Sequence, residues 1–547
     1  MCNRTETILL EILKKRGISE ESEILEFLSD KPERTYDPSL LLNLDAGVDL
    51  ILSTIEKKKK ICIYGDYDAD GLTSISIMIQ FLSNLTENLS YYIPSRFDEG
   101  YGLNMEAVRK IKRDGTSLII TVDCGSVSCQ EVSLAKELGM DIIVTDHHNM
   151  GDQEPDCLVI NPKQKNCPYP FKGLAGCGIA FKLAQGLQKK SGLPKGVLTV
   201  LLDLVGIGTI GDIVPLIDEN RTLAKYGIRA INTTKRQGLI QLIREIGLSQ
   251  GQVNSENVAF AIVPHLNSAG RIGNPKVGVE LLISIDDQIL EDAVKTLVAL
   301  NVERRKLQEQ AFLQCVSIVE QHHGEDHCKV VFAAGAHEGI TGIVAGKIKD
   351  KYERPTIVLT ESGDYLKGTG RSIKTVDIYQ LLKGTSFIFE KFGGHASACG
   401  FLMKKENLVP LRNHLEQEMN SQVSQNELIF SLEKESDYCF SGGEIDFDLI
   451  KALDKMSPFG NANEAPYFQV DAISIEKLGF MGESNKHLRF NCICRDGTQL
   501  PCVLFGDGDR YFDQLGQNKK ISIFGNPTIN TWNGNKKIQF VVRKIKC

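Results

Sequence analysis

At 547 residues the chain is long enough for three or four domains, and its 42% hydrophobic and 24% charged residues are those of a folded globular protein, not of a disordered or fibrous one. No apolar run approaches the roughly 20 residues of a membrane span, and the N-terminal MCNRTETILLEILKKRG has no signal-peptide cleavage pattern, so the expectation is a cytoplasmic protein with no membrane partner. The net charge of −7 is uneven: Met481 to Cys547 holds 11 Lys/Arg against 5 Asp/Glu, and residues 1–480 carry the compensating −13, so the basic end fits either a polyanion partner or an ordinary solvated surface.

In chain order, residues 5–30 read as short helices within an N-terminal segment, 1–44. From 60 to about 215, apolar β-rich runs alternate with helical patterns: ICIYG, SYYIP, SLIITVD and DIIVTD, with a helix between each and the next and none assigned directly after DIIVTD. That alternation predicts a parallel, helix-covered sheet, in a domain taken as 45–230. A mostly helical region with a connecting helix follows at 231–325. Its end, LVALNVERRKLQEQAFLQCVSIVEQ, has helical periodicity and neither Gly nor Pro. A second α/β domain spans 326–430, beginning near KVVFAAG. The last part, 431–547, holds short strands between turn signals such as DGT and GDGD, which predicts a small β-barrel or sandwich. The 15 cysteines are scattered through apolar runs without a CxxC pair, which fits reduced, buried thiols and argues against a zinc ribbon.

In a parallel α/β sheet, ligands bind beyond the carboxyl ends of the strands. Three runs end there in acid or histidine: IYGDYDAD, IITVDCG and IIVTDHH; Asp212 in GIGTIGDIVPL lies downstream. Together they offer Asp68, Asp70, Asp123, Asp146, His147, His148 and Asp212. One aspartate after a strand reads equally as an N-cap. So many at one sheet edge cannot all be ionised without a countercharge. Two divalent cations would supply it, and oxygen ligands with one or two imidazoles suit Mn²⁺ or Mg²⁺.

The segments GDYDADG, VDCG, DHH and GTIGD, in this order, resemble the DHH phosphoesterases. Further segments, among them YYIPSRFDEGYGLN, VINPKQ, YPFKGLAGCGIAFKLAQGL, NSAGRIG, GRSI and FGGHASACGF, resemble the RecJ-type single-stranded-DNA exonucleases within that superfamily. The resemblance implies a DHH domain and a smaller α/β DHH-associated domain joined by a long helix, followed by an OB-like β-barrel. It implies that Asp68 and Asp123 hold one metal, and that Asp70, Asp123, His147 and Asp212 hold the other. Asp66 would sit beside the first metal or just behind it, His148 would face the scissile phosphate, and Asp146 would orient a histidine. Tyr64 stands where some relatives have a further histidine and is not counted as a ligand. The implied chemistry is hydrolysis by a water activated between two cations, attacking phosphorus in line.

For substrate, the resemblance implies single-stranded DNA degraded 5′→3′ to mononucleotides, in repair and recombination, with a helicase and a single-stranded-DNA-binding protein as partners. Arg96 and Arg271 lie in glycine-containing loops suited to phosphate, or to surface salt bridges. In the second α/β domain, Arg371 and Ser372 in GTGRSI and His395 in FGGHASACG are expected to grip substrate. Gly339, Gly342 and Gly346 recur at helical spacing, for close packing or for a phosphate at a helix N-terminus. His265 replaces an arginine common in relatives. The stretch SPFGNANEAP departs from the usual PFGxGNPxP at Ala462 and Glu464. Trp532, before Asn533-Gly534, would either stack on a base near Lys536 and Lys537 or pack on the barrel wall. Two other readings remain open here: a phosphodiesterase for short oligonucleotides or cyclic dinucleotides, and a non-catalytic scaffold.

Overall fold

The β-branched runs from residue 60 onward pair as their alternation with helices requires. Strands β1 (Lys60–Gly65), β2 (Leu89–Tyr92), β3 (Thr116–Val122), β4 (Asp141–Thr145) and β5 (Leu158–Ile160) form one sheet in the order β2-β1-β3-β4-β5, every pair parallel. The structure is a computed structural model, and it describes residues 4–97, 99–100, 102–424, 435–482, 486–506, 508–517, 520–532 and 535–546. Leu118, Ile119 and Ile120 are consecutive and fully buried, so both faces of the sheet are covered. The helices Leu44–Glu56, Ala69–Leu82 and Gly176–Ser191 cover one face, and Met105–Arg113 and Cys129–Glu137 cover the other. Because β2 and β3 flank β1, the connections after β1 and β3 leave in opposite directions. The crevice between their carboxyl ends is where such a sheet binds ligands.

The expected connecting helix runs from Asp287 to His322, 36 residues and about 54 Å long. Ala293, Val294 and Leu297 pack into the core of the first domain, and Ala311, Cys315 and Val319 pack into the second. The second domain's sheet has the order β6 (Lys329–Phe332), β7 (Thr356–Ser362), β8 (Tyr365–Arg371), β10 (Ala398–Lys404), β9 (Phe389–His395). Only β6 and β7 pair in parallel.

In the third sheet the order is β11 (Tyr438–Phe440), β12 (Phe468–Met481), β13 (His487–Cys494), β14 (Gln499–Phe505), β16 (Asn535–Lys546), β15 (Ile521–Trp532). β15 also pairs with β12 over Phe468–Ala472, so the sheet curls into a partial ring. The N-terminal helix Arg4–Lys15 is not a separate unit. Its Ile8, Leu9, Ile12 and Leu13, spaced i, i+4 on one face, are buried in the core of this third sheet.

The loop before β12 turns tightly. Gly460 and Asn463 exchange backbone hydrogen bonds, 2.9 and 3.2 Å, leaving Asn461 and Ala462 at the tip. Ala462 has φ +58°, the left-handed region that favours glycine, at one of the two positions where this chain departs from the usual pattern. Ala462→Gly therefore removes a steric cost that exceeds glycine's extra unfolded-state entropy. The expected outcome is a stability gain of about 0.5–1 kcal/mol, read as a higher urea midpoint at unchanged m-value. A lower midpoint would contradict it.

Candidate metal centre and substrate cleft

Three strand ends and one helix end bring the predicted acids together. Asp66, Asp68 and Asp70 follow β1, Asp123 follows β3, and Asp146, His147 and His148 follow β4. Asp212 ends the helix Leu202–Gly211. Ligand-capable atoms of Asp66, Asp68 and Asp123 lie within 4.8 Å of one another, as do those of Asp70, His147 and Asp212. A further set, Asp123, Asp146, His147 and His148, bridges the two. The His147 Nε2 lies 3.1 Å from Asp123, 3.5 Å from Asp212 and 3.9 Å from Asp70.

The local backbone explains why these side chains converge. Asp68 is the N-cap of the helix Ala69–Leu82: its Oδ1 accepts from the amides of Asp70 (2.9 Å) and Gly71 (3.2 Å). The capping reading and the site reading are both satisfied, since one oxygen caps and the other remains for the crevice. Asn267 holds the same turn by accepting from the Ala69 amide at 2.7 Å. Asp70 is gripped by the N-terminus of the helix Gly176–Ser191, where Gly176 and Cys177 amides donate to its two oxygens at 2.7 and 2.9 Å. A Cβ at Gly176 would stand 2.7–2.9 Å from the Asp123 side chain, so the approach requires glycine. Asp123 itself has φ +61°, a strained conformation for a non-glycine residue that buried surroundings hold in place.

Asp146 plays a different part. Its Oδ1 accepts from the His147 and His148 amides and from the His148 ring Nδ1–H at 2.8 Å, and its Oδ2 accepts from Ser126 at 2.9 Å. It orients His148, as the resemblance implies. Tyr64 donates its buried hydroxyl to the Gly102 carbonyl at 2.8 Å and so supports a loop.

Electrostatics separates the two classes of carboxylate. Burial, then the charges of neighbouring aspartates, pushes Asp66, Asp123 and Asp212 well above the usual carboxylate range and Asp70 up to about 6. Burial would also raise Asp146, but its hydrogen bond and charge contacts with the histidines hold it below the ordinary value. Burial and the charge of His148 hold His147 down to about 3, so it is a neutral donor. His148 moves the other way: burial opposes, yet the Asp146 contact raises it. The Asp66 Oδ1 and His147 Nε2 are buried and complete no hydrogen bond among the described residues. A carboxylate-rich donor set with a neutral imidazole and such open lone pairs fits hard divalent cations.

Beside this centre a cleft of about 730 Å³ opens between the first and second domains, with Tyr67, Arg96, Lys367, Arg371 and Phe392 on its walls. Arg96 lies over the Tyr67 ring, 5.3 Å from its centroid. Arg271 donates to the Gly339 carbonyl across the domain boundary at 3.2 Å, and burial first, then Arg96, lowers its pKa to about 10, which leaves it charged. Partial burial and then the charges of Arg371 and His148 lower His395. A side chain at Gly339 would collide with the Arg271 carbonyl, and one at Gly342 would crowd the Arg371 guanidinium. Two of the three predicted glycines thus make room for cleft arginines, while Gly346 faces open space.

Other expectations turn out differently. Ser372 is buried and donates its hydroxyl to the Val376 carbonyl at 2.6 Å, so it braces its own loop. Trp532 ends β15, but its side chain and Asn533-Gly534 lie outside the described residues. His265 is a link, not a cation: its Nδ1 pairs with the Ala261 carbonyl at 2.7 Å and its Nε2 with Asn301 at 3.0 Å. Asn301 in turn accepts two bonds from Arg304, at 3.1 and 2.8 Å. Asn267, the Gly176 and Cys177 amides, Arg304, and Lys163, whose charge pulls against the rise of Asp212, were not singled out from the sequence. The segments GLAGCG and NSAGRIG carried the first two, but a backbone amide leaves no mark in residue identity.

The comparisons agree with this layout. Residues 60–209 match the DHH family, N-terminal domain, residues 325–421 the DHHA1 domain, and residues 436–544 the RecJ OB domain. The single-stranded-DNA-specific exonuclease RecJ of Bacillus subtilis is 38% identical over 98% of this chain and 67% of its own length. The RecJ of Salmonella typhimurium is 30% identical over 92% and 90%. The crystal structure of Thermus thermophilus RecJ in complex with Mn²⁺ superposes with TM-score 0.84 at 26% identity, covering 99% of this chain and 76% of that one.

Cation binding must therefore compete with protons. A carboxylate raised in the folded state, such as Asp70, costs stability as pH climbs from its unfolded 3.8 through about 6, because the folded site keeps its proton longer. His147 has the opposite sign, stabilising as pH rises through its unfolded 6.5. Mn²⁺ removes only the carboxylate penalty. The Mn²⁺-induced rise in melting temperature at fixed free Mn²⁺ should be larger at pH 8 than at pH 6, with protons released in calorimetry. Asp70→Asn should reduce that release. A Mn²⁺ shift independent of pH would refute the crowded-carboxylate account.

Proposed function

The chain belongs to the RecJ family, and from that premise we propose that it is a metal-dependent exonuclease that degrades single-stranded DNA from the 5′ end, releasing mononucleotides. The observation that carries this reading is the convergence of Asp66, Asp68, Asp70, Asp123, His147 and Asp212 beside a cleft lined with arginine. Two divalent cations bound there would acidify the attacking water and neutralise charge on the phosphoryl oxygens.

The chain's own residues do the remainder. Asp68 and Asp123, with Asp66, would hold one Mn²⁺ or Mg²⁺ ion; Asp70, Asp123, His147 and Asp212 would hold the other. Asp146 fixes the His148 ring through Nδ1, which turns Nε2 away from that carboxylate. Its raised pKa lets it keep a proton to offer a phosphoryl oxygen. Arg96, Arg371 and His395 would bind the phosphates of the strand end, with Arg271 behind them. The basic C-terminal domain would hold the rest of the strand. The cellular setting we assign is cytoplasmic DNA repair and recombination, beside a helicase and a single-stranded-DNA-binding protein.

Two measurements test this. A 5′-labelled single strand with Mn²⁺ should release labelled mononucleotide at once, while a 3′-labelled strand gives a shortening ladder. The reverse pattern would overturn the polarity, and a strong preference for dinucleotides over long strands would overturn the substrate. Asp123→Ala should abolish turnover with its circular dichroism unchanged. His148→Ala should lower kcat by about 10²-fold or more with KM little altered. Near-normal turnover of folded Asp123→Ala would sink the site assignment.

A further inference from the structure

Asp212 is the one proposed ligand that does not follow a strand, and the residue after it is strained. Ile213 is β-branched yet has φ +59°, a strained backbone that persists only when the surroundings enforce it. Its side chain is 70% exposed, so core packing does not enforce it. The constraint comes from the C-terminal domain. Asn461 donates its side-chain amide to the Ile213 carbonyl at 2.8 Å, and its own carbonyl accepts from the Leu216 amide at 2.8 Å. Gly460 permits this approach, since a Cβ there would stand 2.7 Å from the Leu216 side chain.

The loop that delivers Asn461 is itself immobilised. Asn463 donates to the Met456 and Pro458 carbonyls at 2.9 and 2.8 Å. Arg221, from the helix Asp218–Thr233 of the first domain, donates to the Met456 carbonyl at 3.0 Å. Arg16, beyond the N-terminal helix, donates to the Asn463 side chain at 3.2 Å and the Glu464 carbonyl at 2.8 Å. A loop fixed at its base by two arginines thus reaches the backbone one and four residues past Asp212.

We infer that Asn461 is a positioning residue for the metal centre: by clamping Ile213 and Leu216 it sets where Asp212 presents its carboxylate, tying the C-terminal domain to one of the two cation sites. This rests on the reading of Asp212 as a cation ligand. Asn461 meets the site through the Ile213 and Leu216 backbone, so its effect passes through Asp212.

The test uses the full chain, with Asn461→Ala and the near-isosteric Asn461→Asp. Mn²⁺ is titrated by calorimetry, amide hydrogen exchange is followed over 213–216 without metal, and turnover is measured on a dinucleotide too short to reach the C-terminal domain. The expected result is one of two Mn²⁺ sites weakened roughly fivefold to tenfold, the loss of about one hydrogen bond, with the other unchanged. Exchange at Leu216 should quicken, and kcat on the dinucleotide should fall at constant KM. Unaltered Mn²⁺ affinity and exchange in folded variants overturn the clamp. So does a defect confined to KM for long strands, which would mark an ordinary DNA contact. Asp212→Ala serves as the control. If the wild type binds Mn²⁺ and Asp212→Ala loses none, the ligand reading fails, and this inference with it. Should Asn461→Asp not fold, Asn461→Ala decides by the same readouts.

Discussion

Carboxylates buried around one histidine repel one another, and the catalytic domain is organised around that repulsion. Within a set, the ligand atoms lie no more than 4.8 Å apart, where two ionised carboxylates repel by about 3–4 kcal/mol or more at an effective dielectric of 20. Burial first, and then this repulsion, favours the protonated form, and Asp66, Asp70, Asp123 and Asp212 all move up. A protonated cluster is a poor catalyst, but it is a site waiting for a hard cation. Arg96 and Arg371 line the cleft beside these aspartates. A guanidinium among the aspartates would satisfy them and leave nothing for a metal.

Holding such a cluster takes backbone, since neutral amide dipoles can stabilise a carboxylate without cancelling its charge. Two helix N-termini do this work. Asp68 caps one, and Asp70 reaches across to the other. The sheet order explains why both can be near: β1 and β3 flank the switch point, and their outgoing loops diverge around a shared crevice. Asp123 accepts a left-handed backbone to face inward. Gly176 provides the space into which it turns.

Much of this was legible in the sequence because it lay in residue identity and period. The alternation after residue 60 foretold the parallel sheet, and the carboxylates at strand ends foretold the centre. The uninterrupted helical period near 297–321 foretold the connector. What stayed hidden depends on partners far apart in the chain. The amides of Gly176 and Cys177 have no side-chain signature. His265 reads as a lost cation until Asn301 and Arg304 are placed beside it. Ser372 reads as a substrate contact because a hydroxyl after an arginine looks available, and only the fold shows it spent on Val376. The N-terminal helix reads as its own segment, since nothing local says that its apolar face is buried under a sheet 450 residues away.

The cleft belongs to neither domain alone, and this decides how the chain can act. Tyr67 and Arg96 come from the first domain, while Arg371 and Phe392 come from the second. The relation between them is set by the Asp287–His322 helix, whose two ends are buried in different cores. A continuous helix of about 54 Å resists bending far more than a loop of the same length would. Where the domains meet, Gly339 lies directly on the Arg271 carbonyl and Phe97 meets His337 edge-on at 5.4 Å. A gap bounded by a continuous helix and a tight contact is braced on both sides. The shape of the cleft then follows from how the domains are braced, and its pull on a cation from how the carboxylates are crowded. The two meet at Arg271, which donates to the Gly339 carbonyl across the domain boundary and lies close enough to Asp68 for the two charges to act on each other.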